Sequence, residues 1–291
     1  MQIESPVTKN ETVDMQIGTL TFSDDYASKV RWWLPPQPRG VVIYFHGIQS
    51  HGGWYEASGS ALAEAGFAVC MPDRRGSGLS AEPRGHIENL NRLTDDMRDL
   101  VKAALLKTGE HRVHLVGVSW GGKQAVWLAQ NMPETVASIS LVCPGIFPKL
   151  DLPTSEKFKV AMAMVNDRRK HFDIPLNDPT YFTDNPERQA FVRDDDLKLT
   201  QVSASFLLTS RRLDRAIRGF ERSRYDGGVH MFLAGTDKII DNPKTRIWYD
   251  ALPSRMKKLS EFPQGGHTLE FNDDPQPFIR ALTDFIAATA E

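Results

Sequence analysis

The chain has 291 residues, 41% of them hydrophobic, with 35 basic and 37 acidic side chains and a formal net charge of −2. That composition is globular and excludes a disordered or collagen-like chain. So balanced a charge leaves no field to gather nucleic acid or an anionic membrane. The two cysteines, Cys70 and Cys143, are too few for a disulfide framework. Each ends an apolar run, which reads as a buried reduced thiol. Residues 1–14 are polar and lack the apolar core of a signal peptide. No apolar run approaches the roughly 18 residues that span a bilayer, so no integral membrane segment is expected and the chain reads as cytoplasmic.

In chain order, residues 13–22 read as a hairpin broken near Gly18. Residues 29–34 read as a strand stopped by Pro35-Pro36. Val41–Phe45 is almost purely apolar, as a strand covered on both faces must be. A helix over 54–65, stopped by Gly66, leads to a second buried strand over 67–71. Residues 90–106 place Leu90, Leu93, Met97, Leu100, Val101, Ala104 and Leu105 at helical spacing. A third strand, Val113–Val118, feeds a helix, Trp120–Asn131, and a fourth strand follows at Val136–Val142. This alternation with short connections predicts an α/β fold. Its sheet is mostly parallel, with helices on both faces and an N-terminal antiparallel hairpin.

Between residues 142 and 229 the alternation stops. Phe158, Met162 and Val165 share one helical face, and Phe206, Leu213, Ile217 and Phe220 share another. No strand is read there. A stretch this long needs structure of its own inside a compact domain. Residues 145–228 therefore read as a helical cap (lid) inserted into an α/β core made of residues 1–144 and 229–291. Strand, helix, strand and helix resume at 229–234, 243–251, 256–262 and 275–288.

The strongest chemical signal is Gly117-Val118-Ser119-Trp120-Gly121-Gly122, between a buried strand and a helix. In that setting G-x-S-x-G is a nucleophile elbow. The serine needs a sharp turn, and Gly117 and Gly121 allow the close backbone approach it demands. A serine hydroxyl attacks only if a base takes its proton. Of the eight histidines, His114 and His230 fall inside strands, while His86, His111 and His171 sit in polar, solvent-exposed surroundings. His267, on the loop Pro263-Gln264-Gly265-Gly266, follows the last strand and precedes the last helix. Asp237, just past the strand 229–234, is placed to orient that imidazole; Asp241 is the fallback and otherwise caps a helix ahead of Pro243. Two backbone N–H groups should receive the oxyanion, from Trp120 and from Ile48 in the loop after Val41–Phe45. Asp73 and Arg75 read as loop supports, Trp54 and Tyr55 as anchors of the first helix.

The stretch His46-Gly47-Ile48-Gln49-Ser50-His51-Gly52-Gly53-Trp54-Tyr55 resembles the H-G-x-x-x-H-x-x-x-Y segment of one α/β-hydrolase group. This is the monoacylglycerol lipase and lysophospholipase group, of serine aminopeptidase S33 type. Asp73-Arg74-Arg75-Gly76-Ser77-Gly78-Leu79-Ser80 is similar to that group's D-x-x-G-x-G-x-S loop. The resemblance runs from about residue 40 to the end, outside the insertion. It implies the α/β-hydrolase fold with a cap, Ser119/Asp237/His267 as triad and Ile48/Trp120 as oxyanion donors. It implies no cofactor and no metal. Trp120 departs from the smaller residue usual after the serine. Ser-Trp-Gly is also similar to proline iminopeptidases, whose H-G-G-P-G loop is absent.

The expected activity is serine-dependent hydrolysis of a carboxylic ester (class EC 3.1.1) through an acyl-enzyme. The substrate is a small acyl ester such as a monoacylglycerol or lysophospholipid. The alternatives are another hydrolase on the same triad, cleaving a C–C bond, a thioester or an N-terminal peptide bond, and a catalytically silent ligand-binding homologue.

Overall fold

The computed structural model describes residues 13–80, 82–220 and 223–290, so most of the polar stretch 1–14 lies outside the described residues. The strands are β1 Gln16–Thr21, β2 Ala27–Trp33, β3 Val41–Phe45, β4 Ala68–Pro72, β5 Val113–Val118, β6 Val136–Val142, β7 His171–Asp173, β8 Gln201–Ser203, β9 Gly228–Ala234 and β10 Lys257–Phe262. All but β7 and β8 form one sheet in the order β1-β2-β4-β3-β5-β6-β9-β10. β1/β2 and β2/β4 are antiparallel, and every other pairing in that sheet is parallel. The helices are α1 Glu56–Glu64, α2 Leu90–Thr108, α3 Trp120–Asn131, α4 Thr154–Asn166, α5 Pro186–Asp194, α6 Ala204–Ile217, α7 Asn242–Asp250 and α8 Gln276–Ala288.

Every residue of β3, β4, β5 and β9 is buried, the signature of a parallel sheet covered on both faces. The apolar stripe of α2 behaves as its spacing predicts, with Leu93, Met97, Leu100, Val101 and Ala104 buried. Asn89 caps its first turn, and Gly109 closes it in a left-handed conformation at φ 76°.

Several readings change. Residues 13–22 are not a hairpin: β1 runs straight through Gly18 and pairs with β2. The turn lies later, where Phe22 N–H donates to the Tyr26 carbonyl and Asp25 adopts φ 63°. Aspartate tolerates that conformation through its short side chain, so no glycine marks the turn. The segment between β6 and β9 contains strands after all, since β7 and β8 pair antiparallel. Three residues are too few to carry a readable alternation. The α4 stripe is inverted as well. Phe158, Met162 and Val165 are exposed, whereas Val160, Ala163 and Met164 pack inward near Phe172.

The same segment is fastened to the carboxyl edge of the sheet. Leu199 N–H donates to the Gln49 carbonyl at 2.8 Å. The Asp195 carboxylate accepts from Trp54 Nε1 at 2.7 Å and lies 3.1 Å from His51 Nε2. Trp120 Nε1 donates to Ser210 Oγ at 2.9 Å. No helix among the described residues is long and apolar enough to cross a membrane.

Candidate active site

Ser119 joins β5 to α3 at φ 52°, ψ −116°. A non-glycine residue rarely holds that conformation, which costs on the order of 1–3 kcal/mol. The surroundings enforce it. A Cβ on Gly117 would lie 2.5 Å from the Gly121 carbonyl oxygen, and one on Gly121 would collide with the Phe45 carbonyl. Gly47 sits against the serine, with its own would-be Cβ 3.5 Å from Ser119 Cβ. The elbow is thus wedged between the ends of β3 and β6, where Ser119 N–H donates to the Val142 carbonyl at 2.9 Å.

Asp237 follows β9 and His267 follows β10, and the structure brings them together. His267 Nδ1 is 2.8 Å from Asp237 Oδ2, with both side chains buried. The other carboxylate oxygen accepts from Ile239 N–H at 2.7 Å and Ile240 N–H at 2.9 Å. Burial pushes the Asp237 carboxyl up. The His267 charge, its hydrogen bond and the two amides outweigh that and hold the carboxyl below its usual value. Ser119 lies at the end of β5, one strand away from Cys143 at the end of β6. No hydrogen bond joins the Ser119 hydroxyl to His267 in this structure, and such contacts commonly tighten only with substrate bound. Asp241 is not a partner of His267; it caps α7 by accepting from Lys244 N–H.

Cys143, Asp237 and His267 offer ligand atoms within 4.8 Å of one another, the metal-like cluster found among the described residues. The donor set does not suit a cation. Burial holds the Cys143 thiol well above its ordinary pKa, so it stays protonated, and both oxygens of Asp237 are already engaged. His114 and His230 are packed in the sheet on Ser138 and Ser260. His86, read as solvent-exposed, is buried against Ser203 and Ser205.

Ile48, Ser119, Trp120, Leu150, Ile174 and Ile239 line a cavity of about 130 Å³. Ile48 N–H has no acceptor among the described residues. Trp120 opens α3, where N–H groups lack partners within the helix. Lys123, Pro148, Leu150, Pro175 and Ser210 are shared with a larger groove of about 500 Å³. That groove runs between α4 and α6 over Leu152, Val160, Met164 and Leu207. Lys123 is nearly buried, 2.5 Å from Asp214 on α6. It escaped the sequence reading because one cation on a helix usually marks the solvent side.

Glu270, three residues past His267, also went unremarked. It is fully buried and accepts from Ser58 N–H at 2.9 Å and Ser58 Oγ at 2.6 Å. Burial raises its pKa from 4.5 to about 7, against those hydrogen bonds. A carboxyl with a raised folded pKa binds extra proton in the native state between those values. Stability therefore falls as pH rises through that window and levels off above it. Glu270→Gln is expected to remove that slope and to be more stable than wild type at about pH 8 by up to roughly 3 kcal/mol. Urea unfolding at about pH 5 and about pH 8 measures it; an unchanged slope would locate the titration elsewhere.

A strained serine at a strand-to-helix turn, on the carboxyl edge of a mostly parallel sheet covered on both faces, defines an α/β-hydrolase. The chain belongs to the serine aminopeptidase S33 family, whose model matches residues 36–274. It is 24% identical over 263 residues to a phospholipase of Bacillus subtilis (strain 168), covering 87% of this chain and 98% of that protein. It is 38% identical over 115 residues to the monoacylglycerol lipase of Mycolicibacterium smegmatis, which covers 39% of this chain and 41% of that one. The monoacylglycerol lipase of Paleococcus ferrophilus superposes with a TM-score of 0.76 at 21% identity, over 95% of this chain and 99% of its own. The resemblance read from residues 46–55 and 73–80 is borne out.

Proposed function

We propose that the protein hydrolyses esters of apolar acyl groups through an acyl-enzyme on Ser119. The class is carboxylic ester hydrolase, in keeping with the lipases and the phospholipase among its relatives. In the proposed route His267 removes the hydroxyl proton as Ser119 attacks the ester carbonyl. The tetrahedral oxygen is received by the N–H groups of Ile48 and Trp120. His267 then gives its proton to the leaving alcohol. Water, deprotonated by the same imidazole, releases the acid and restores Ser119. Asp237 keeps the Nδ1 proton in place and stabilises the imidazolium. The single observation that carries this reading is the buried His267–Asp237 pair, just past the ends of β10 and β9, on the same sheet edge as the strained Ser119 past the end of β5.

The apolar groove between α4 and α6 suits an acyl chain, and residues 145–228 act as the cap that covers it. The aminopeptidase reading would need an acidic group free to bind an amino terminus. Asp195, in the acidic run 194–196, is engaged by His51 and Trp54. The two buried, unbridged cysteines are in keeping with action in the cytoplasm. A fluorophosphonate probe is expected to label wild type at Ser119 and to leave Ser119→Ala unlabelled. Equal labelling of both would take the nucleophile role from Ser119.

One observation bears on the polar end of the substrate. Arg211 and Arg215, one turn apart on α6, line a depression of about 520 Å³ that adjoins the apolar groove. The acids there are already engaged, Asp214 with Lys123 and Asp151 with Lys157. Neither arginine meets a carboxylate among the described residues. The double variant Arg211→Ala/Arg215→Ala is expected to lose about three- to tenfold in kcat/KM on an acylglycerol phosphate and to keep its rate on the neutral acylglycerol. Equal effects on the two esters would remove these arginines from substrate recognition.

A further inference from the structure

We propose that Arg74 is a positioning residue that aims and polarises the oxyanion-binding peptide. The proposal rests on the reading of Ile48 and Trp120 as oxyanion donors. Arg74 follows β4, and its side chain is turned inward, with only 6% of the residue exposed. Nη1 donates to the Gly47 carbonyl at 3.1 Å. Nη2 donates to the Ile48 carbonyl at 2.9 Å and to Ser77 Oγ at 2.8 Å. Its own backbone N–H donates to His46 Nε2 at 2.9 Å.

That last contact decides the state of His46. An Nε2 that accepts leaves the proton on Nδ1, which then donates to the Gly47 carbonyl at 2.8 Å. Burial holds His46 well below its usual pKa, so the ring stays neutral. Two donors, one of them charged, therefore converge on the Gly47 oxygen.

The Gly47 carbonyl and the Ile48 N–H are opposite ends of one planar trans peptide. Fixing the oxygen in one direction turns the N–H the other way, and Ile48 shares the Ser119 cavity. Drawing electron density toward the carbonyl makes that N–H a stronger donor. The guanidinium also lies over the Trp120 ring, 4.7 Å from its centroid, and 5.3 Å from that of Phe206. Arg74 thus touches both residues assigned to the oxyanion. The neighbouring Asp73 carboxylate makes its hydrogen bonds to Arg31, Gly52 and Leu79, so the guanidinium keeps its own donors for residues 47, 48 and 77. Fixed positive charge behind a donor peptide favours the negative oxygen that forms in front of it.

The test compares wild type with Arg74→Met and Arg74→Lys on a p-nitrophenyl ester. It also measures affinity for an alkyl trifluoromethyl ketone, which adds to the serine and forms an oxyanion, and for the product acid. Arg74→Met is expected to lower kcat by about 10- to 100-fold with KM within about threefold. Ketone affinity should fall by the same factor, and product-acid affinity should not change. Lysine keeps the charge without the fork and should fall between. Should the methionine variant not fold, the lysine variant alone decides by the same split. Full kcat in a folded variant would overturn the proposal. So would a loss shared by KM and product affinity while ketone affinity holds, which is what a merely structural role gives. A wild type that turns over esters but never binds the ketone, or a Ser119→Ala as active as wild type, would instead overturn the reading beneath it.

Discussion

Ser119→Ala is expected to lower kcat for ester hydrolysis by about 10⁵- to 10⁶-fold while KM moves little. Alanine removes the atom that forms the acyl bond and leaves the cavity and the N–H donors in place. What remains is water attacking a polarised carbonyl. The fold should not suffer. The Cβ is already accommodated at φ 52°, and the turn is held by Gly117, Gly121 and the Val142 carbonyl rather than by the hydroxyl. The melting temperature should stay within about 2 °C of wild type. Initial rates on a p-nitrophenyl ester, with melting in parallel, measure both. An alanine variant with a tenth of the wild-type rate would move the nucleophile to another residue.

Asp237→Asn is expected to cost about 10⁴-fold in kcat. The reason lies in the two amides. Ile239 and Ile240 N–H both point at Oδ1, so an asparagine must place its carbonyl oxygen there. Its NH₂ group then faces His267 Nδ1, which has to become an acceptor. The imidazole proton moves to Nε2, the nitrogen that should take the proton of Ser119. Geometry is kept and the tautomer is wrong. At high pH, hydroxide can partly replace the lost base, so the activity profile should climb steadily above neutrality. A variant with wild-type kcat at neutral pH would show that Asp237 does not set the tautomer.

The parts of the molecule legible in the sequence are those governed by local rules. Val41–Phe45 and Val113–Val118 announce buried strands because helices on both faces leave no room for polar residues. Ser119 is conspicuous because its conformation demands glycine on either side. Asp237 and His267 follow from their places just past strand ends. Less legible features depend on residues far apart in the chain. Arg74 sits in a charged run, Asp73-Arg74-Arg75, whose flanking residues read as loop supports; only the folding of residues 46–48 and α6 around it gives its guanidinium those partners. Its neighbour Arg75 pairs instead with Asp96 and Asp24. The α4 stripe has the right period, but period alone cannot tell which side of a helix meets the protein. His86 is buried by β8, a strand too short to foresee.

The hydrogen bonds from Leu199 to Gln49 and from His51 and Trp54 to Asp195 bear on how this enzyme could diversify. Residues 145–228 are not a cassette. A chimera that imports the equivalent stretch from a relative without counterparts of Asp195 and Leu199 loses two braces of the loop 49–54, which directly follows the proposed oxyanion-binding peptide. New selectivity and old turnover rate are then traded against each other in a single exchange. Changes confined to side chains of α4, which carries none of those braces, escape that trade.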